Sequence, residues 1–337
     1  MLTESNIEGN EIIQRLYSEV WFMNDISKEI YIRYYSMPFD PQSNFYIPGI
    51  EGDAIHFADT QFKILVAKIA DQKYESNFPS LIKDESGYRI NIEKISRILP
   101  TGYYVLISTP IQSVNEDAYK NASLKMDGLV GILRLVGGNN LLFQLVREGK
   151  ADISNGILKS LTSTVPFPQI IDGPFATILT WKHFKEITDS LNVMECMQKK
   201  RIELAIQLTE KAFLSESRFK FFSYWVALEV AADTHITARI VKLLSKYYDK
   251  SGGYIKNELG FNYLIHTRNA IVHEGEVYEI PASVERYLQN LMLDVIRAEL
   301  GLKCNEYMVN AIRNGFDVKM LDKTMNKSKI MEFELPY

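Results

Sequence analysis

The segment SRFKFFSYWVALEVAAD, residues 217–233, determines how the second half of this chain is built. It is strongly aromatic, and its apolar side chains recur at the spacing of a helix that packs against a core. Similar helical patterns occupy 199–213, 234–248, about 262–273 and 283–301. Together they predict an all-α bundle in the C-terminal part of the chain.

The first hundred or so residues have a different pattern, in which β-branched and aromatic runs alternate with turn-forming residues. The runs that predict strands are IYIRYYSM (30–37), DAIHFADTQFKILVAKI (53–69), YRINIEKI (88–95) and YYVLIS (103–108). From about residue 115 the spacing becomes helical, and GGNN at 137–140 predicts a break between two helices. We therefore expect an α+β protein, with a mixed strand and helix region followed by the helical bundle.

The best candidate for a domain boundary is TSTVPFPQIIDGP, residues 162–174, which holds three of the eleven prolines in the chain. This boundary gives an N-terminal α/β region over 1–165, strand-rich to about 110 and helical after it. A helical domain over 175–303 and a C-terminal tail over 304–337 complete the predicted organisation. The alternative is that the proline-rich stretch is a loop inside one large domain.

Composition excludes several classes of protein. The net charge is -4, so no global field favours nucleic acid or an anionic membrane, although a local basic groove is compatible with it. The two cysteines lie far apart and lack the spacing of a zinc site or a disulfide framework. The N-terminus does not have the pattern of a signal peptide, and the apolar runs are too short for a membrane span. We expect a cytoplasmic protein without a membrane partner.

The stretch TRNAIVHEGE, residues 267–276, places Arg268, Asn269 and His273 in an otherwise apolar turn of the chain. On a helix, Asn269 and His273 lie one above the other because they are four residues apart. Arg268 and His273 are five apart, about 140° around the axis, so they do not easily touch within one chain. Across a two-fold axis, however, the arginine of one copy can approach the histidine of the other.

The motif and its surroundings resemble HEPN domains (higher eukaryotes and prokaryotes nucleotide-binding). Arg268-Asn-Ala-Ile-Val-His273 matches the R-polar-x3-H form of the Rx4–6H signature of that family. The aromatic helix YWVALEVAA (224–232), TARIVKLL (237–244), the motif and a last long helix follow in the order typical of the Apea-like branch. The resemblance covers about residues 195–303, roughly a third of the chain.

Active members of this family are metal-independent endoribonucleases, so the resemblance implies RNA cleavage at a homodimer cleft, without a cofactor, in a defence or stress response such as antiviral defence. The 2′-hydroxyl of RNA is the nucleophile. His273 would transfer a proton and Arg268 would hold the phosphate, with Asn269 assisting. The expected products are a 2′,3′-cyclic phosphate and a 5′-hydroxyl. Since His273 lies near a helix C-terminus, which favours the imidazolium, a general-acid role suits it best.

Other functions fit the same residues. Many HEPN domains act without catalysis, so the alternative is an RNA-binding or assembly module, and a nucleotide-responsive regulator is a third possibility. Family toxins that pair with a nucleotidyltransferase commonly carry a tyrosine two places after the histidine, where this chain has Gly275. That difference disfavours a toxin–antitoxin function. Because an unrestrained ribonuclease harms its own cell, we expect residues 1–165 to sense an unknown trigger or to gate the cleft.

Two further features support the site. Glu229 lies in an apolar helix, where a lone charge is costly, so we expect a basic partner such as Arg268; a direct role at the site is the alternative. Residues 199–256 contain eleven basic and six acidic side chains, a local charge of about +5. Within this stretch Arg239, Lys242 and Lys246 share one helix face and are candidates for RNA binding, the alternative being an ordinary solvated face.

Overall fold

The computed structural model of the chain describes residues 29–36, 55–69, 72–84, 87–99, 102–111, 116–137, 144–152, 157–163, 178–215, 217–274, 277–318 and 326–328. The strands are β1 (Glu29–Ser36), β2 (Ile55–Phe57), β3 (Thr60–Ile69), β4 (Gln72–Asp84), β5 (Gly87–Leu99), β6 (Gly102–Pro110), β7 (Gln144–Asp152), β8 (Ile157–Ser163), β9 (Val277–Glu279) and β10 (Asn326–Ser328). The helices are α1 (Glu116–Gly137), α2 (Ile178–Val193), α3 (Cys196–Leu214), α4 (Ser217–Ala231), α5 (Thr237–Tyr248), α6 (Phe261–Glu274), α7 (Ala282–Glu299) and α8 (Tyr307–Arg313). A single π-helical turn, Tyr254–Glu258, precedes α6.

The predicted α+β architecture is confirmed. Among the described residues, the N-terminal region carries a six-stranded antiparallel sheet in the order β2-β3-β6-β1-β7-β8, and a separate ribbon pairs β4 with β5. From residue 178 onward the described chain is helical, apart from the three-residue pairing of β9 with β10. The helical patterns at 199–213, 217–233, 234–248, 262–273 and 283–301 correspond to α3, α4, α5, α6 and α7.

Strand β1 is an inner strand of the large sheet, between β6 and β7, and its residues from Ile30 to Ser36 are all buried. Since successive side chains of a strand point to opposite faces, this burial means that both faces of β1 are covered. On one face Arg33 donates from Nη2 to Ser123 Oγ of α1 at 2.8 Å. Helix α1 therefore packs over the face of β1 that carries Arg33.

The predicted strand over 53–69 is two strands joined by a tight turn. Ala58 and Asp59 separate β2 from β3, and both have positive φ, 51° and 55°. Two such residues form the type I′ turn, whose twist matches that of a hairpin. Neither residue is a glycine, so local composition did not reveal the turn.

The expectation that residues after about 110 are helical is wrong beyond α1. Residues 144–152 and 157–163 form β7 and β8, which extend the sheet from β1. The apolar run after GGNN is short, and a short run fits the helical and the strand period equally well. Residues 144–152 form a strand because they pair with β1, and this pairing joins Tyr34 to Arg147, which are far apart in sequence. No local pattern records such a contact.

The chain divides into two compact units, one within 1–126 and 137–182 and the other within 127–136 and 183–337. The second unit thus includes the last part of α1, which packs against α3. A Cβ on Gly131 of α1 would lie 2.7 Å from the Ile206 carbonyl oxygen, so only glycine permits this approach. Nearby, Arg134 forms a buried ion pair with Glu210. Most of the proline-rich stretch 162–174 lies outside the described residues.

Helix α7 is the central element of the helical unit, buried along almost its whole length. Two of its buried carboxylates accept hydrogen bonds from neighbouring elements, which offsets the cost of burying them. Glu285 accepts hydrogen bonds from Lys220 Nζ and Tyr224 Oη of α4, each at 3.0 Å. Asp294 accepts from the backbone N–H of Met308 at 2.9 Å, which holds the start of α8 against α7. Residues just after 303 therefore pack on the bundle.

Candidate functional site

Helix α6 carries the Arg–Asn–His motif on its outer side. Its buried residues are Phe261, Leu264, Thr267 and Ala270, spaced every third position along the helix. Arg268 is half-buried, whereas Asn269 and His273 are exposed. Ile265 and Ile271 are only partly buried, and Val272 is 44% exposed. The core-facing stripe of α6 is thus narrow, and its outer side carries apolar as well as polar side chains.

Arg268 and Glu229 form an ion pair between α6 and α4. Arg268 Nη2 lies 3.7 Å from Glu229 Oε1, and the two side chains are 24% and 21% exposed. The predicted basic partner of Glu229 is therefore Arg268. A long, partly solvated pair of this kind contributes little to stability, on the order of 1 kcal/mol or less. Its main effect is to orient the guanidinium.

Trp225 fixes the position of Glu229. The indole N–H of Trp225 donates to Glu229 Oε1 at 2.8 Å. The indole is itself held between Phe221 and Phe261, with ring centroids 6.2 Å and 5.9 Å away. Since a buried indole N–H needs an acceptor, the aromatic core anchors the carboxylate, and the carboxylate in turn anchors Arg268.

The two Nη groups of the Arg268 guanidinium make only long contacts. Nη1 donates to Asn269 Oδ1 at 3.4 Å, which is a long hydrogen bond. Nε is buried and has no hydrogen-bond partner. An arginine presents five N–H donors in a planar fork that matches a phosphate, and only a weak bond and a long ion pair engage them here. Asn269 is the one predicted site residue that contacts Arg268 along α6.

His273 forms no hydrogen bond with Arg268 or Asn269 in the described part of the chain. It is exposed and has no hydrogen-bond partner among the described residues. Gly275 lies outside the described residues. Within one chain, therefore, the arginine and the histidine of the motif do not meet, in keeping with their angular separation on a helix.

A pocket of about 390 Å³ opens beside the ion pair. Its lining residues come from α3, α4 and the α4–α5 loop, and they are Arg201, Val226, Glu229, Val230, Asp233, Thr234 and His235. Arg201 is fixed in its wall, donating from Nη2 to Glu299 Oε2 at 2.6 Å and from Nη1 to the Val230 carbonyl at 3.3 Å. Glu229 belongs to both features, whereas Arg268 is not among the residues that line the pocket.

The loop at the pocket rim has a fixed conformation. Thr234 Oγ1 accepts from the backbone N–H of Ile236 at 3.0 Å, and the Thr234 N–H donates to the Glu229 carbonyl at 3.0 Å. Asp233 has a φ of 52°, the left-handed conformation that often ends a helix. Sequence reasoning did not assign Arg201, Asp233, Thr234 or His235 to a site. Only the fold brings α3 and this loop together.

The predicted RNA-binding residues Arg239, Lys242 and Lys246 are all exposed on α5. The opposite face of α5 is buried, through Ile240, Val241, Leu244 and Tyr248. Helix α5 begins two residues after His235, so its basic face follows directly from the pocket rim along the chain. The structure gives these three side chains no contact with Arg268.

A second polar cluster surrounds Asp294 on α7. Burial raises the pKa of Asp294 from 3.8 to about 7, against the opposing effect of its hydrogen bonds. The Tyr248 hydroxyl donates to Asp294 Oδ2, and burial beside this carboxylate raises the pKa of Tyr248 far above its usual value. This cluster joins α5, α7 and α8, and its contacts are structural.

No protein-family model, curated protein or solved structure matches this chain. None of the described helices is long and apolar enough to cross a membrane. Among the described residues, no group of three or more His, Cys, Asp and Glu side chains is arranged to hold a metal ion.

Proposed function

We propose that this chain is a metal-independent endoribonuclease of the HEPN type, acting as a cytoplasmic homodimer in a defence or stress response. The observation that carries the proposal is the setting of Arg268. Its guanidinium is oriented by Glu229, which Trp225 anchors, while Asn269 and His273 are exposed farther along the same helix. A side chain that merely capped a loop would not need a carboxylate fixed by a buried indole.

In the proposed reaction, Arg268 of one protomer binds the non-bridging oxygens of an RNA phosphate and stabilises the charge that develops on them. The ribose 2′-oxygen forms a bond to phosphorus as the bond from phosphorus to the 5′-oxygen breaks. The 2′-hydroxyl proton passes to water. The imidazolium of the partner protomer's His273 donates a proton to the departing 5′-oxygen. The products are a 2′,3′-cyclic phosphate and a 5′-hydroxyl, and the imidazole regains its proton from solvent.

Two observations support the dimeric form of this proposal. Arg268 and His273 have no mutual contact in one chain, so a second chain is the natural source of the missing group. The exposed side of the unit also carries large apolar side chains, including Val272 on α6 and Phe222 on α4, which are 44% and 42% exposed. A second chain that covered them would remove this apolar surface from water.

The second candidate is a non-catalytic RNA-binding or assembly module. It is favoured by the ion pair itself, since Glu229 partly neutralises the charge that Arg268 would offer to a phosphate. The exposed basic face of α5 is compatible with either function. In both, residues 1–165 would regulate the helical unit in response to a trigger.

The test is incubation of the purified chain with a mixed RNA pool in the presence of EDTA. We expect cleavage that Arg268→Ala and His273→Ala both abolish. His266→Ala is the matched control, because His266 is an exposed histidine on the same helix. A contaminating ribonuclease would persist in all the variants. RNA binding without cleavage by the wild-type chain would instead identify the non-catalytic module.

A further inference from the structure

The pocket beside Glu229 has the size and lining of a site for one planar ring. We propose that it binds the nucleobase next to the phosphate held by Arg268, and that it prefers bases with an exocyclic amino group (adenine, cytosine and guanine) over uracil. The inference rests on the proposed ribonuclease function and adds a determinant of sequence specificity to it.

The position of the pocket supports a base neighbouring the bound phosphate. Glu229 lines the pocket, and its Oε1 lies 3.7 Å from Arg268 Nη2. A phosphate on the guanidinium therefore places an adjoining nucleotide at the pocket mouth. Single-stranded RNA is recognised in this manner, with unstacked bases turned into pockets on the protein.

The free atoms of the lining favour a hydrogen-bond donor on the ligand. Glu229 Oε1 is engaged by Trp225 and Arg268, whereas Oε2 has no hydrogen-bond partner among the described residues. Asp233 adds a second, exposed carboxylate. Carboxylates accept from exocyclic amino groups, as in the pairing of Glu or Asp with cytosine N4. Uracil has no amino group, and its one donor on the Watson–Crick edge, N3–H, lies between two carbonyl oxygens that would face like charge.

The remaining lining suits the faces of a ring. Val226 and Val230 supply apolar surface, and His235 is an exposed imidazole at the rim. Histidine rings and arginine planes are common stacking partners of unpaired bases. The donors of Arg201 are engaged by Glu299 and by the carbonyls of Val230 and Ala231, so this residue contributes shape and charge. Arg201 is paired with Glu299 and Arg268 with Glu229, so the carboxylate of Asp233 is the remaining formal charge of the site.

The experiment measures binding apart from cleavage. Five-residue 2′-O-methyl oligonucleotides lack the nucleophile and so cannot be cut by the proposed reaction. A fluorescein-labelled set, with uridine at every position except a central A, C, G or U, is titrated with the full chain and followed by anisotropy. We expect the first three to bind about tenfold or more tightly than the uridine-only strand, the factor typical of one hydrogen bond to a charged group.

Two variants and one control locate the effect. Glu229→Gln keeps an acceptor for Trp225 but presents an amide, so the preference over uridine should fall to about one, whatever happens to the absolute affinity. His235→Ala removes the stacking partner and should weaken all four strands by about fivefold or more. Glu258→Gln removes an exposed carboxylate elsewhere and should leave the ratios unchanged.

The results distinguish failure of the proposed base-binding pocket from failure of the proposed ribonuclease function. Equal binding of all four strands, or a preference that survives in Glu229→Gln, overturns the pocket, even if unmodified RNA is cleaved. A preference lost in Glu229→Gln with no cleavage of unmodified RNA supports the pocket and overturns the ribonuclease. Free AMP and CMP form a further arm, since affinities equal to those of the strands would overturn the assignment of the pocket to an RNA chain.

Discussion

The carboxylate of Glu229 lies 3.7 Å from the guanidinium of Arg268 and joins the polar motif on α6 to the aromatic core of α4. The link runs through Trp225, whose indole N–H donates to the same carboxylate oxygen at 2.8 Å. The orientation of Arg268 thus depends on a buried ring that no substrate would touch. Several consequences can be measured.

Replacement of Trp225 by phenylalanine should reduce RNA cleavage about fivefold or more, because Glu229 loses its anchor and Arg268 its fixed orientation. The stability cost should be about 1–2 kcal/mol in urea unfolding. Phe261→Leu is the control, since it alters the stacking on Trp225 but leaves the indole N–H in place. Equal losses of cleavage in the two variants would show that Trp225 acts only through packing.

A mixture of two inactive chains should recover activity if each site takes Arg268 from one protomer and His273 from its partner. In a heterodimer of Arg268→Ala with His273→Ala, one composite site lacks both groups and the other is intact. Random assortment after co-refolding makes half the dimers mixed, so we expect about a quarter of wild-type activity. Cleavage rates of the mixture and of each variant alone provide the measurement. No recovery would mean that both groups act within one chain.

Most of the fold class could be predicted from the sequence, because the apolar residues of a long amphipathic helix recur at helical spacing. The helical spacing of Ile202, Ala205, Ile206, Thr209 and Phe213 predicts one face of α3, and the first four of these residues are buried whereas Phe213 is half-buried. Strand β4 was not predicted: it contains charged residues and Pro79, which a strand disfavours, and it depends on pairing with β5. The order of the strands in the sheet could not be predicted either, since it depends on contacts between residues that are distant in sequence.

Part of the candidate site could be predicted from the sequence. The spacing of Arg268, Asn269 and His273 was evident, and the cost of burying Glu229 correctly predicted a basic partner. The pocket could not be predicted, because it is lined by Arg201 of α3 together with His235, from a loop more than thirty residues later. A polar residue at the end of an apolar helix gives no local signal of the cavity it borders.

The raised pKa of Asp294, about 7 in the folded chain against 3.8 ordinarily, predicts a dependence of stability on pH. The folded state binds this proton more tightly than the unfolded state, so the stabilisation is complete below about pH 4 and is lost as the pH rises towards 7. In Asp294→Asn the dependence should vanish. The difference in unfolding free energy between wild type and variant should change by at most about 1.4 kcal/mol per pH unit in that window.

Urea unfolding at intervals between pH 5 and pH 8 measures this difference. Tyr307 and Met308 donate from their backbone N–H groups to the two different oxygens of Asp294, and asparagine keeps an acceptor for one of them. Asp249→Asn, at an exposed position after α5, is the control and should follow the wild type at every pH. Parallel pH profiles of wild type and Asp294→Asn would refute the assignment.

Gly131→Ala should destabilise the helical unit by about 1–3 kcal/mol, the usual cost of overpacking a core. The added Cβ would lie 2.7 Å from the backbone oxygen of Ile206 and 2.8 Å from its Cγ2, so α1 and α3 must separate. Gly253→Ala is the control, because its Cβ would meet nothing closer than 3.7 Å and its φ of -62° suits alanine. Chemical denaturation of both variants distinguishes close packing from a general effect of removing glycine.

The basic face of α5 should contribute to RNA affinity without contributing to sequence preference. A lysine that contacts phosphate releases counterions on binding, so its removal lowers the slope of log affinity against log salt by about 0.7 for a single strand. We expect this change for Lys242→Ala and Lys246→Ala, each with an equal loss of affinity for all four central bases. Lys256→Ala, an exposed lysine outside α5, should leave the slope unchanged. A slope insensitive to Lys242 and Lys246 would mean that RNA follows another surface, and a change in base preference would mean that these lysines reach into the pocket.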